Sequence, residues 1–239
     1  MKVLINEDFS KKIDHKIVTD LYYESLNTNS KIDTRALSEV TLGVRGAVLK
    51  KNINELDLVI RLYRRGGLMK FFTKNTFIKP FFTSSYRPIE EFKVLNSLKD
   101  LKVPKVIAVA VKENNFTYSG IIVTEKIKNS FNFLNEKPSS KELIEKIAFK
   151  AGNLAKKITS KGVFHPDLHI GNVLYDNNQE VYIIDFDKAS IISKGHSSVK
   201  NSINKIISRW DRSVNKFYNE DSNENRKLYI DSFLKGIKK

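Results

Sequence analysis

One segment constrains this chain more than any other. It reads Gly162-Val-Phe-His-Pro-Asp-Leu-His-Ile-Gly-Asn-Val-Leu174, and Val181-Tyr-Ile-Ile-Asp-Phe-Asp187 follows. A histidine, an aspartate and an asparagine share one loop, an apolar hairpin comes next, and a second aspartate ends a strand. These residue types in this order suit phosphoryl transfer from a nucleotide. That chemistry needs a carboxylate beside the attacking hydroxyl and oxygen ligands that hold Mg²⁺ against the phosphates. Asp167 is the expected catalytic residue, taking or orienting the hydroxyl proton. Asn172, five residues on, offers its amide oxygen to Mg²⁺, and Asp185 bridges Mg²⁺ to the β- and γ-phosphates. The isoleucines before Asp185 keep its strand buried and its carboxylate pre-positioned.

The ordered set fits the kinase pattern H-x-D-L-x-x-x-N followed by D-F-G or a variant. Any one piece is weak evidence; the full order with its spacing is specific. Asp187 stands where the glycine of D-F-G is expected and reads as a structural or supporting residue rather than a second metal contact. His165 reads as scaffold, bonding backbone near the Asp-Phe pair. His165 and His169 are spaced as in zinc-binding helices, but Pro166 and the loop context argue against a helix, and no glutamate follows the first histidine.

The upstream half supplies the remaining parts. Gly43 and Gly46 lie between two strand-like runs, where small residues let backbone N–H groups approach phosphate. The strand Asp57-Leu-Val-Ile-Arg61 places Arg61 where such enzymes carry a lysine for the α- and β-phosphates; arginine stays charged but is not isosteric with lysine. Glu91, on a helix read over Ile89–Leu101, is its expected partner. Val123-Thr-Glu125-Lys-Ile127 sits where a hinge segment would offer backbone to adenine, through Glu125 and Ile127. ATP and Mg²⁺ are therefore the expected cofactors.

The rest of the chain agrees with an α+β, two-lobe protein-kinase-like fold, with a strand-rich N-lobe and a mainly helical C-lobe. Residues 1–36 read as an N-terminal helical extension, with Ile13, Ile17, Leu21 and Tyr22 on one helical face. Residues 37–128 form the N-lobe. Residues 129–239 form the C-lobe, with a connector at Asn129–Pro138 and a long helix capped by Ser139 or Ser140. The chain has 239 residues and no cysteine, which excludes disulfides, thiol nucleophiles and thiolate metal sites. The longest aliphatic run, Val106 to Val111, is far short of the roughly 20 apolar residues that span a bilayer.

Charge narrows the partners. Lys and Arg number 42 against 27 Asp and Glu, a formal net charge of +15. Such a balance suits an acidic partner or a lysine-rich solvated surface. Arg61, Arg64, Arg65, Lys70, Lys74 and Lys79 interleave with Phe71, Phe72, Phe77, Phe81 and Phe82. That mixture suits an anionic membrane surface, though most of the phenylalanines taken alone read better as core. Nucleic acid is not expected as a partner.

These motifs also resemble the lipopolysaccharide kinase family, and within it the kinases of 3-deoxy-D-manno-octulosonic acid (Kdo). The resemblance runs from about residue 37 to about 217. It rests on Arg61-Leu-Tyr-Arg-Arg-Gly-Gly-Leu68, Thr124-Glu-Lys-Ile127, His165-x-Asp-Leu, Ile184-Asp-Phe-Asp187 and a tail containing Trp210, Arg212, Ser213 and Lys216. It implies ATP-dependent phosphorylation of a Kdo-lipid A precursor at its 4-hydroxyl. The enzyme would act at the cytoplasmic face of the inner membrane as a peripheral protein. His169 stands where that family more often has asparagine. Asp-Leu-His-Ile-Gly-Asn also resembles aminoglycoside and other small-molecule phosphotransferases, so a different sugar acceptor stays open. A non-catalytic relative using the fold for binding is the reading that Arg61 and the missing glycine motivate.

Overall fold

The computed structural model describes residues 1–30, 40–43, 46–63, 76–78, 86–134, 136, 138–193, 195–218 and 223–239. They divide into two compact units: Met1–Asn96 with Lys105–Lys126, and Ser97–Pro104 with Ile127–Lys239.

The first unit is built on an antiparallel sheet. Its strands are β1 (Lys2–Ile5), β2 (Val40–Gly43), β3 (Gly46–Ile53), β4 (Leu56–Leu62), β5 (Phe77–Ile78), β6 (Val106–Glu113) and β7 (Thr117–Glu125). They lie in the order β1-β6-β7-β4-β3-β2, with β5 also paired to β7. β3 and β4 pair from Val48↔Arg61 to Ile53↔Leu56, and the two residues between them, Asn54 and Glu55, both have positive φ. That is the mirror-image turn whose twist matches a two-residue hairpin. The sequence puts this turn at Asn52–Asn54; the register moves it two residues on.

β4 alternates strictly. Leu56, Leu58, Ile60 and Leu62 are buried, while Asp57, Val59 and Arg61 fall on the other face. The leucine–isoleucine face meets helix α1 (His15–Ser30) through Val18, Leu21 and Tyr22, with Ile107, Ala108 and Ile121 joining the same core. The reading of residues 1–36 as a helical extension misses β1, which pairs with β6 from Lys2↔Val111 to Ile5↔Ala108. Four residues with no strong alternation are too short a signal to read as a strand from sequence; an open edge on β6 supplies the partner. Helix α2 (Arg87–Ser97) buries Ile89, Glu91, Phe92, Val94 and Leu95. Phe77 stacks on Tyr118 at 5.3 Å, so this member of the basic–aromatic stretch is core. Residues 64–75 and 79–85, which carry the rest of that stretch, lie outside the described residues.

The second unit holds helices α3 (Lys141–Ser160), α4 (His196–Phe217) and α5 (Asn223–Lys238), with short strands β8 (Ser130–Asn132), β9 (Val163–Phe164), β10 (Val173–Asp176), β11 (Val181–Ile183) and β12 (Ser190–Ile191). β10 pairs with β11 and with β8, and β9 pairs with β12. Ser140 caps α3, its Oγ accepting from the Leu143 N–H at 3.1 Å. Gly162 ends it at φ 84°, a conformation that favours glycine after a helix. α3 and α5 cross so closely that a Cβ on Gly152 would run into the Phe233 carbonyl, and one on Gly236 into that of Phe149. Trp210 stacks on Phe233 at 4.1 Å and Tyr218 on Tyr229 at 4.9 Å, which fixes α5 against its neighbours.

Candidate active site

In the second unit the loop after β9 carries the chemistry-bearing side chains. Buried Leu168 and Ile170 anchor it from within, and Ser213 anchors it from α4. The Ser213 Oγ accepts from the Ile170 N–H at 3.1 Å while donating to the Trp210 carbonyl at 2.7 Å. His165 is buried and donates from Nε2 to the Ile184 carbonyl at 3.1 Å. That bond requires the proton on Nε2, so the buried Nδ1 is bare, and it has no hydrogen-bond partner. Burial pushes the His165 pKa below the usual histidine value, against the opposing pull of Asp185 and Asp167. The ring also packs on Phe186 with centroids 4.8 Å apart. His165 is the scaffold its motif predicts.

Asn172 ends a short helical turn, Ile170–Asn172, that the His169 ring caps by accepting from the Gly171 N–H at 3.1 Å. The His169 ring lies against Phe217, and burial, then the charge of Arg209, lowers its pKa. Its sequence spacing with His165 is zinc-like, but Nδ1 is spent on the cap. Among the described residues no group of three or more His, Asp or Glu could hold a metal ion. Asn172 itself is buried. Its Nδ2 donates to the Asp167 carbonyl at 2.9 Å, and its own carbonyl accepts from the Ile184 N–H at 2.9 Å. With Nδ2 fixed, the amide flip is decided, and Oδ1 points away from that bond with no hydrogen bond from any described residue.

Asp185 follows Ile184 at φ 63° and ψ 64°, in the left-handed region, and is half-buried. A non-glycine residue there costs about 1–3 kcal/mol and persists where the surroundings over-determine it, commonly at functional sites. The turn Phe186–Lys188 comes next, with Phe186 fully buried and Asp187 half-buried. Asn172 Oδ1 and the Asp185 carboxylate are thus the oxygen donors that could hold a divalent cation. Two protein oxygens suit Mg²⁺, which is usually held by one or two protein oxygens plus phosphates and water.

Asp167 is buried and meets two cations that the sequence reading did not single out. Arg209 of α4 donates to Oδ1 from Nε at 3.2 Å and from Nη2 at 2.9 Å. Lys188 donates to Oδ2 at 3.3 Å. They stand 42 and 21 residues away in sequence. No local pattern joins them, because only the packing of α4 and of the turn after Asp185 against the loop brings them together. Arg212 and Lys216, from the same tail, are exposed on α4.

The other expected residues lie mainly in the first unit. Arg61 extends from the outer face of β4 and donates from Nη2 to both oxygens of Glu91 on α2, at 2.5 Å to Oε1. Glu91 is only 4% exposed. The Tyr63 hydroxyl, also unforeseen, donates to the same carboxylate, and the Arg61 guanidinium lies 5.1 Å from the Tyr63 ring centroid. The strand–helix cation–carboxylate pair read from sequence therefore forms, with arginine as its cation. Gly43 pairs with Gly46 at the end of the β2–β3 hairpin, whose tip residues 44 and 45 lie outside the described residues. At the end of β7 the Glu125 N–H donates to the Lys105 carbonyl at 2.9 Å, and its carboxylate meets Lys105 Nζ at 3.5 Å. In the second unit the Ile127 carbonyl accepts from Ser130 Oγ at 2.9 Å.

Residues 39–225 match the model of the lipopolysaccharide kinase (Kdo/WaaP) family. The chain belongs to that family, which makes it a kinase of lipopolysaccharide biosynthesis and implies ATP as the phosphoryl donor. Among its relatives are proteins named 3-deoxy-D-manno-octulosonic acid kinase. The one from Vibrio cholerae is 31% identical over 177 residues, covering 71% of this chain and 72% of the relative. The one from Vibrio parahaemolyticus is 32% identical over 60% of each chain. The one from Photobacterium damsela is 32% identical over 62% of each. No helix among the described residues is long and apolar enough to cross a membrane.

Proposed function

We propose that this kinase transfers the γ-phosphate of ATP to the 4-hydroxyl of Kdo on a lipid A precursor. The observation that carries the reading is the bond from Asn172 Nδ2 to the Asp167 carbonyl, which fixes the amide and leaves its oxygen without a hydrogen bond from any described residue. The name shared by the relatives supports Kdo as the acceptor sugar.

The acceptor hydroxyl oxygen attacks the γ-phosphorus and forms the new P–O bond. The bond from the γ-phosphorus to the β–γ bridging oxygen breaks, and ADP leaves with that electron pair. The hydroxyl proton passes to the Asp167 carboxylate, on the oxygen away from Arg209. Asn172 Oδ1 and Asp185 would hold Mg²⁺, which would supply charge neutralisation to the transferring phosphate. Arg61, held by Glu91, contacts the α- and β-phosphates; its fork suits phosphate as well as lysine's point charge does. The Gly43–Gly46 hairpin offers backbone N–H groups to phosphate. The Glu125 N–H is already taken by Lys105, so its carbonyl, with the Ile127 N–H, serves adenine. The charge of +15 suits an anionic glycolipid at the cytoplasmic face of the inner membrane, with the chain attached peripherally.

Incubating the purified chain with Mg·ATP and a lipid A precursor, with and without Kdo, tests the acceptor. Phosphate on the Kdo-bearing lipid alone is the expected result. Transfer to the sugar-free lipid, or only to a different sugar such as an aminoglycoside or a heptose, contradicts it. ATP binding without transfer to any acceptor favours a non-catalytic role.

A further inference from the structure

The two cations on Asp167 are not equivalent. Arg209 is 30% exposed in its side chain and places two donors of a rigid fork on Oδ1. Such a fork loses little freedom per bond and fixes the carboxylate's rotation. Lys188 is 51% exposed and makes one contact to Oδ2, at 3.3 Å, from the end of a flexible stem. A solvated ammonium at that distance contributes little. An acceptor hydroxyl that reaches Oδ2 meets the oxygen that Lys188 contacts, while Arg209 keeps Oδ1. The face of α4 that carries Arg209 is basic: Lys205, Arg212 and Lys216 lie four residues before, three after and seven after it, and all three are exposed.

We infer that Lys188 is the acceptor-recognition residue of this site. An oxyanion on the acceptor, either a sugar carboxylate or a phosphate of the same glycolipid, takes the Lys188 ammonium. Oδ2 of Asp167 is then released to the acceptor hydroxyl, while Arg209 keeps Oδ1 in place. A neutral acceptor leaves Lys188 on Asp167 and binds in competition with that contact. The acceptor's identity rests on the proposed function; the division of labour between the two cations rests on the geometry alone.

Binding of three probes to the full chain tests this: free Kdo, its methyl ester, and glucose 1-phosphate, by calorimetry. Wild type is expected to bind at least one of the two anions about tenfold more tightly than the ester, a difference of ~1.4 kcal/mol. Lys188→Met loses that preference, and Lys188→Arg keeps most of it. Preference for Kdo over the phosphate assigns the carboxylate, and the reverse assigns phosphate. Equal binding of all three by wild type, binding of none, or a preference that survives in Lys188→Met overturns the inference. So does a Lys188→Met variant whose KM rises for ATP rather than for the acceptor. Turnover of the Kdo-bearing lipid, measured on the same preparations, decides the proposed function separately. Turnover without the binding preference removes this inference alone; the preference without turnover removes only the acceptor assignment.

Discussion

The side-chain amide of Asn172 and the backbone carbonyl of Asp167 are joined at 2.9 Å, so that one residue sets the other's position. Asn172→Ala removes both this tether and one oxygen donor. It takes one hydrogen-bond donor from the Asp167 carbonyl in a buried loop. A fall in kcat of about 10²-fold or more is expected, with a raised Mg²⁺ requirement. Steady-state kinetics across a Mg²⁺ titration checks it. Asn172→Asp keeps an oxygen donor but loses the amide N–H, so it is expected to recover metal dependence better than rate.

Arg61 and Glu91 make a separable prediction. Glu91 is buried against Arg61 and Tyr63, so Arg61→Ala takes a paired cation away from a buried carboxylate. A loss of roughly 3 kcal/mol of stability is expected, the low end for breaking a buried pair because Arg61 keeps some solvent contact. Arg61→Lys retains the charge and most of the stability. Both variants are expected to raise KM for ATP, alanine by about tenfold or more. Thermal melts and ATP kinetics on the two variants separate the structural loss from the nucleotide effect.

Much of this site was legible because its residues sit at fixed sequence spacing. Asp167, Asn172 and Asp185 are tied by one loop and one hairpin, and Arg61 and Glu91 announce themselves by a strand period of two and a helix face. Arg209 and Lys188 were not legible. Basic residues on a helix face and in a turn look like any solvated charges until tertiary packing shows what they meet. β1 and β8 were missed for a related reason: strands of three or four residues are defined by their partners, β6 and β10, more than by their own pattern. The mixed α+β class followed from a strand-rich first half giving way to a mainly helical second half, while the turn at Asn54–Glu55 depended on register that composition does not encode.

The crossing of α3 and α5 gives a prediction away from the chemistry. A methyl at Gly236 meets the Phe149 carbonyl, which is backbone and cannot swing aside. Gly236→Ala is expected to cost about 2–3 kcal/mol and to lower Tm by roughly 5–10 °C. Differential scanning calorimetry reads it directly. Gly195→Ala, where an added Cβ meets nothing closer than 3.5 Å, serves as the comparison and is expected to cost only about 0.5–1 kcal/mol, the loss of a favoured N-cap residue of α4.

The pH dependence of stability follows from His165. Burial lowers its folded pKa below the value of 6.5 that it takes when unfolded. Below pH 6.5 the unfolded chain therefore binds more protons than the folded one, and stability falls as pH falls through that window. Above pH 6.5 this contribution is fully present. His169 shifts in the same direction and adds to it. Melting temperature is expected to drop between pH 7 and pH 5, and His165→Asn to flatten that drop while lowering the plateau. An unchanged slope in the variant contradicts the assignment.

The central claim is that Asp167 performs the transfer while Asn172 and Asp185 hold the metal. Single-turnover transfer of labelled γ-phosphate from Mg·ATP to a Kdo-bearing lipid A precursor, comparing wild type with Asp167→Ala, tests it most directly. Wild type is expected to label the Kdo sugar. Asp167→Ala is expected to bind Mg·ATP within about twofold of wild type and to transfer at a rate lower by about 10³-fold or more. Transfer by Asp167→Ala within a few-fold of wild type would contradict the account.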